Sequence, residues 1–68
     1  MKDKNMNATE AQRQFYTLKE AHESGRKDVS MIRDSWDGGH TVQFTLSGTC
    51  VVSLIRSGDC ISFSGRWM

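Results

Sequence analysis

Apolar residues along this chain change their spacing once, near Gly25. Before that point Ala8, Ala11, Phe15, Leu18 and Ala21 (or His22) recur at three- and four-residue intervals, the period of a helix that buries one stripe. Gln12, Arg13, Lys19, Glu20 and Glu23 fall on the opposite side. Lys19 and Glu23 stand one turn apart, a pairing worth roughly 0.2–0.5 kcal/mol. Asn7 is placed to cap the helix, with Glu10 three residues on to close a capping box. Gly25 is the natural residue to end it, with Arg26 and Lys27 set to meet the helix's negative end. Residues 1–7 are polar and read as a frayed, disordered start; residues 8–68 read as one domain.

After Gly25 the period falls to two. Asp28 to Trp36 is an imperfect strand, with Val29 and Met31 on one side and Ile32 and Trp36 on the other. Asp37-Gly38-Gly39 supplies a turn in which both glycines can take positive φ. His40 to Leu46 alternates cleanly, Val42, Phe44 and Leu46 against Thr41, Gln43 and Thr45, as a half-buried antiparallel strand does. Cys50 to Arg56 is apolar on both parities: Val52 and Leu54 point one way, Val51 and Ile55 the other. Such a strand is a central one, covered above and below. Cys60 to Trp67 alternates Ile61, Phe63 and Trp67 with Ser62, Ser64 and Arg66.

Ser47-Gly48 and Ser57-Gly58 punctuate the last two hairpins. They begin a short echo, Ser47-Gly48-Thr49-Cys50-Val51 and Ser57-Gly58-Asp59-Cys60-Ile61, which recurrent turn chemistry accounts for. A loop Leu46-Ser47-Gly48, with Gly48 left-handed ahead of a bulge, sets Phe44 opposite Cys50 and Val42 opposite Val52. The final hairpin has two registers. A loop Arg56-Ser57-Gly58 puts Phe63 opposite Val51, leaving Val51, Ile55, Phe63 and Trp67 as an apolar patch on the second face. A two-residue loop Ser57-Gly58 turns Ile61 and Phe63 onto the Phe44 side instead. Either way the expected fold is α+β: one N-terminal helix packed on an antiparallel β-meander of about four strands in sequential order, with Phe15, Leu18, Phe44 and Leu54 buried together.

Length and composition narrow the function. A chain of 68 residues makes one domain and buries only about 60% of its unfolded surface, so a deep catalytic cleft is hard to build. Nine Lys and Arg stand against eight Asp and Glu, without the basic excess of a non-specific nucleic-acid coat. No apolar run nears the roughly 18 residues of a membrane span, and none follows the charged Met1–Asn7 stretch as a signal peptide would need. A cytosolic protein with no membrane partner is expected. Cys50 and Cys60 then read as reduced thiols at opposite ends of their strands. With His22 and His40 they match no zinc spacing, so no metal and no cofactor is expected.

Catalytic motifs are missing too. Asp37-Gly38-Gly39-His40 lacks the spacing and lysine of a phosphate loop. Cys60, His40 and Asp37 are the residue types of a nucleophile, base and orienting acid, and His22 with His40 those of an acid–base pair, but no motif joins either set. The chain reads as a non-enzyme.

Binding residues remain. Arg33, Trp36 and His40 gather near the first turn, and Arg66 and Trp67 close the chain; arginines beside aromatics anchor protein interfaces or stack on bases. Asp34 and Asp37 dilute the positive field there, which favours a protein partner. The candidate partner-binding set is Val51, Ile55, Arg33, Trp36, Arg66 and Trp67. On that reading a second copy of the chain, pairing apolar faces about a two-fold axis, is one way to cover Val51 and Ile55. The alternative is a nucleic-acid regulator using Lys19, Arg26, Lys27, Arg33 and Arg66.

Two likenesses bear on this. Glu10-Ala11-Gln12-Arg13-Gln14-Phe15, with Leu18, Ala21, Gly25 and Ile32-Arg33, resembles the helix-then-strand opening of the Phd/YefM antitoxins over about half the chain. That resemblance implies a small transcriptional or antitoxin-like regulator. It departs from the family in having no strand before the helix and in continuing as strands after Leu46, where the family turns helical. In size and make-up the chain also resembles the small inhibitors of phages and mobile elements, anti-CRISPR proteins among them. The leading expectation is a small non-enzymatic protein-binding inhibitor or regulator.

Overall fold

The computed structural model describes residues 4–68. Helix α1 spans Ala8–Glu23 and both of its ends are closed by local chemistry. Asn7 is the N-cap, its Oδ1 accepting the Glu10 N–H at 2.7 Å. Ser24 is the C-cap and Gly25 follows at φ 94°. The Gly25 N–H donates to the His22 carbonyl and the Arg26 N–H to the Ala21 carbonyl, the two bonds of a Schellman motif. Arg26 turns to Asp28, whose carboxylate its Nε and Nη2 grip in a bidentate pair.

Four strands of equal length follow: β2 (Val29–Trp36), β3 (Gly39–Leu46), β4 (Cys50–Ser57) and β5 (Cys60–Trp67). A fifth, β1 (Lys4–Asn5), precedes the helix and pairs with the end of β5, so the antiparallel sheet runs β1-β5-β4-β3-β2. Five strands therefore replace the expected four, and a strand does precede the helix. The described part of the expected frayed start is held by this pairing: the Met6 N–H donates to the Gly65 carbonyl and its side chain is buried. Residues 1–3 of that start lie outside the described residues.

Both later hairpins correct the expected loops. Leu46 pairs with Cys50 and Phe44 with Val52, two residues off the expected register. The loop is Ser47-Gly48-Thr49, closed by the Thr49 N–H on the Leu46 carbonyl; Gly48 is left-handed at φ 74° as expected. A slip of two keeps every side chain on its face, which is why the facing pattern survived. In the last hairpin Ser57 pairs with Cys60 around Gly58-Asp59. Gly58, at φ 59° in the first central position, suits a type II′ turn. Phe63 therefore stands opposite Leu54, on the helix side, and the alternative that left it on the second face is overturned.

Helix α1 lies chiefly over β5 and β4. Phe15 is its anchor, its ring edge-on to Phe44 at 5.1 Å and to Phe63 at 5.6 Å. Met6, Ala11, Phe15, Leu18, Val29, Phe44, Cys50 and Val52 form the buried core. Leu54, expected among them, is only half-buried at its margin. Gly65 belongs to this packing: a Cβ there would stand 2.8 Å from Val52 Cγ1 and 2.9 Å from Met6 Sδ. In the first turn only Gly38 is left-handed, at φ 96°. Gly39 serves another purpose, since a Cβ would come within 2.3 Å of the Arg56 carbonyl oxygen and 2.9 Å of the Trp36 ring.

Candidate partner-binding surface

One strand is left out of the packing. β2 is buried only at Val29; every residue from Ser30 to Trp36 is exposed. It is also an outer strand of the sheet, so one row of its backbone groups has no ladder partner among the described residues. Which row follows from one bond. The Ser47 N–H donates to the Asp28 carbonyl, and antiparallel ladders alternate. Ser30, Ile32, Asp34 and Trp36 therefore direct their backbone groups at β3. Val29, Met31, Arg33 and Ser35 direct theirs outward.

The register assigns faces as well. Met31 and Arg33 stand opposite Phe44 and Val42, so their side chains share the helix side. Between them and α1 runs an open groove of about 560 Å³. Its apolar lining comes from Met31, Val42, Phe44 and Leu54 on the sheet and Phe15 and Tyr16 on the helix. Charged and titratable groups border it: Lys19, His22 and Glu23 from α1, Arg33 and His40 from the sheet. Lys19 and Glu23 pair with each other at 3.6 Å. The His22 ring lies against Phe44, centroids 5.8 Å apart. Arg33 has no ion-pair or hydrogen-bond partner among the described residues.

The far face of the sheet is different in character. It carries Ile32, Trp36, Val51 and Ile55 among Ser30, Thr41, Gln43, Thr45, Ser53, Ser62 and Ser64. Ser53 and Ser64 hydroxyls meet across β4 and β5 at 3.1 Å, and the Thr41 hydroxyl donates to the Leu54 carbonyl at 2.9 Å. With Phe63 and Trp67 on the helix side, Val51 and Ile55 are separated by Ser53 and flanked by Arg66 and Ser62.

The candidate residues thus divide. Val51, Ile55, Trp36 and Arg66 share the far face, while Arg33 and Trp67 share the helix side. Arg66 already has an interaction within the protein. The basic set of the nucleic-acid alternative is dispersed: Lys19 is tied to Glu23, Arg26 to Asp28, and Arg33 and Arg66 lie on opposite faces. The imagined Cys60–His40 pair is also split, Cys60 on the far face and His40 on the helix side. His22 and His40 both line the groove, but no contact joins them among the described residues.

Cys50 and Cys60 are both free, and the ladder sets them at opposite ends and on opposite faces of the sheet. Burial pushes the Cys50 thiol pKa up. No cluster of metal-ligating side chains occurs among the described residues, and no helix there is long and apolar enough to cross a membrane.

Sequence reasoning missed the groove. Met31 and Tyr16 were legible as exposed or core candidates only once the helix was placed over β5 and β4. No family model, curated protein or solved structure matches the chain.

Proposed function

We propose that this chain is a small non-enzymatic protein-binding module that acts as an inhibitor or regulator of its partner. The observation that carries this reading is β2, an eight-residue outer strand exposed on both faces. Soluble proteins blunt such edges with brevity, proline, bulges or lysines. β2 is long and has no proline, bulge or lysine; its charges are Arg33 and Asp34, one on each face, and it displays Met31, Ile32 and Trp36, exposed by 37%, 58% and 46%. An apolar surface of this kind, backed by an unpaired backbone row, supports docking of another polypeptide. The dispersal of the basic residues makes nucleic acid the weaker reading, since phosphate binding concentrates cations along one face.

The test pairs two measurements on the purified chain. Affinity capture with nuclease-treated lysate should retain a protein partner, and the variant Met31→Lys, Ile32→Lys should fold and lose it. A gel shift with mixed DNA and RNA that collapses between about 50 and 200 mM salt, with no protein captured, would instead establish the nucleic-acid reading.

A further inference from the structure

We infer that the groove between α1 and β2 receives an acidic, extended segment of the partner, added antiparallel to β2 as a further strand of the sheet. This rests on the protein-binding reading above and names its ligand. Backbone and side-chain geometry converge on the same two residues. Met31 and Arg33 are the central residues whose backbone groups point outward, and their side chains form the outer wall of the groove. An incoming strand that bonds to their backbone must also lay its alternate side chains along that groove.

The chemistry of the segment follows from the wall it meets. Arg33 is exposed, has no counter-charge among the described residues, and lies one diagonal step from His40 across the β2–β3 ladder. Glu23, the acidic residue on the rim among the described residues, is engaged by Lys19. Asp34, next in the chain to Arg33, is on the other face. A carboxylate opposite Arg33 therefore completes a pair that the described residues leave open. Beyond it, the exposed Met31 on the helix side calls for an aliphatic side chain.

A second copy of the chain fits less well. Antiparallel self-pairing about a two-fold axis opposes residues of equal parity. Centred on Arg33 it brings two guanidinium groups together. Centred on Ile32 it lays each Arg33 against Met31. Neither supplies the missing negative charge.

The experiment uses the full chain, isotopically labelled, and a blocked synthetic probe, Glu-Lys-Glu-Val-Leu-Thr-Val. In the antiparallel register its third residue opposes Arg33 and its fifth opposes Met31. Amide shifts on titration should concentrate in β2 and along the groove side of α1. Affinity should fall about tenfold when both glutamates of the probe become lysine, an amount typical of one lost charge-assisted pair. Arg33→Glu, at an exposed position, should reverse that preference. Met31→Pro removes an outward N–H while sparing the β3 ladder and should weaken both probes alike. No binding, shifts confined to the far face, or equal affinity for the two probes would overturn the inference. Failure here with protein capture intact would sink only this site; loss of capture altogether would sink the protein-binding reading.

Discussion

β2 and β4 are both eight residues long, and each carries apolar side chains on both parities. Their fates differ. Cys50 and Val52 of β4 are wholly inaccessible, whereas β2 is exposed from its second residue onward. The cause is width. A helix with its side chains is about 10–12 Å across, and strands are about 4.8 Å apart, so one helix covers little more than two strands. α1 is drawn over β5 and β4 by Phe15, Phe63 and Phe44, with Met6, just after β1, closing that side. The half of the sheet farthest from Phe63 stays open. Hydrophobic pattern marks where strands are; the placement of the cover determines which of them are core.

The largest test of that contrast is a matched pair of truncations. Phe44→Ala removes a ring that is 2% exposed and touches Phe15, and should cost about 3–5 kcal/mol. That is enough to unfold a domain whose total stability is about 5 kcal/mol or little more. Ile32→Ala, on the open strand, should change stability by about 0.5 kcal/mol or less. Thermal melts of the two variants check this. Comparable losses would mean that β2 is packed as tightly as β3, and the division into a covered and an open half would fail.

Glycines sharpen the comparison, one on each face. Gly65 lets Val52 and Met6 close over β5 on the helix side. Gly39 lets the Trp36 ring approach closely on the far face, and its missing Cβ also clears the Arg56 carbonyl oxygen. Each alanine variant should cost about 1–3 kcal/mol through overpacking. Gly39→Ala should be the costlier, because its nearest obstacle is backbone and cannot swing aside. Denaturant midpoints decide the order. A harmless Gly39→Ala would show that Trp36 is not seated on the sheet.

How much of this was legible in the sequence depends on the scale of the interaction. The helix was, because its caps are local: Asn7 with Glu10, and Gly25 with the two carbonyls before it. The facing of Val42, Phe44, Val52 and Leu54 was, because parity survives a two-residue slip. The loops were not, since Ser-Gly in one hairpin lies at the loop's start and in the other straddles its edge. β1 was missed because two polar residues carry no alternation to read, and Met6, which the structure buries, fell inside the stretch read as a frayed start. The candidate surface was partly legible: Trp36 and Arg33 were singled out, but their separation onto opposite faces follows from odd spacing along a strand. The groove itself depends on where α1 rests, and no periodicity encodes that.

A smaller effect should separate the two thiols. Cys50 is inaccessible and its burial holds the thiol pKa above its ordinary value, so the reactive thiolate is scarce there. Cys60 is exposed on the far face. Iodoacetamide should label Cys60 in the native protein and reach Cys50 only on unfolding, read as one and then two mass additions. Cys60→Ala should leave stability nearly unchanged. Equal labelling of both residues in the native state would show the covered half opening readily, and the contrast with β2 would be one of degree.

The smallest expected effect lies at the entrance to β2. Arg26 grips the Asp28 carboxylate through two hydrogen bonds just before the strand begins, and Asp28 also accepts the Ser47 N–H through its backbone carbonyl. The Arg26 hydrogen bond lowers the carboxyl pKa below its ordinary 3.8. A carboxylate with a depressed folded-state pKa contributes its stability above the unfolded value and loses it as pH falls through the folded one. The contribution is therefore whole at neutral pH and fades below about pH 3.8. The pair is exposed, and solvent screens it, so the change should be slight. Asp28→Asn should flatten the acid limb of the stability profile while leaving α1 and the Phe44 core intact. Urea midpoints taken from neutral pH down through this range, with and without added salt, test it. If the variant's acid limb matches the parent's, the Arg26–Asp28 grip does not steady the open strand, and β2 is held by its β3 ladder and by Val29 alone.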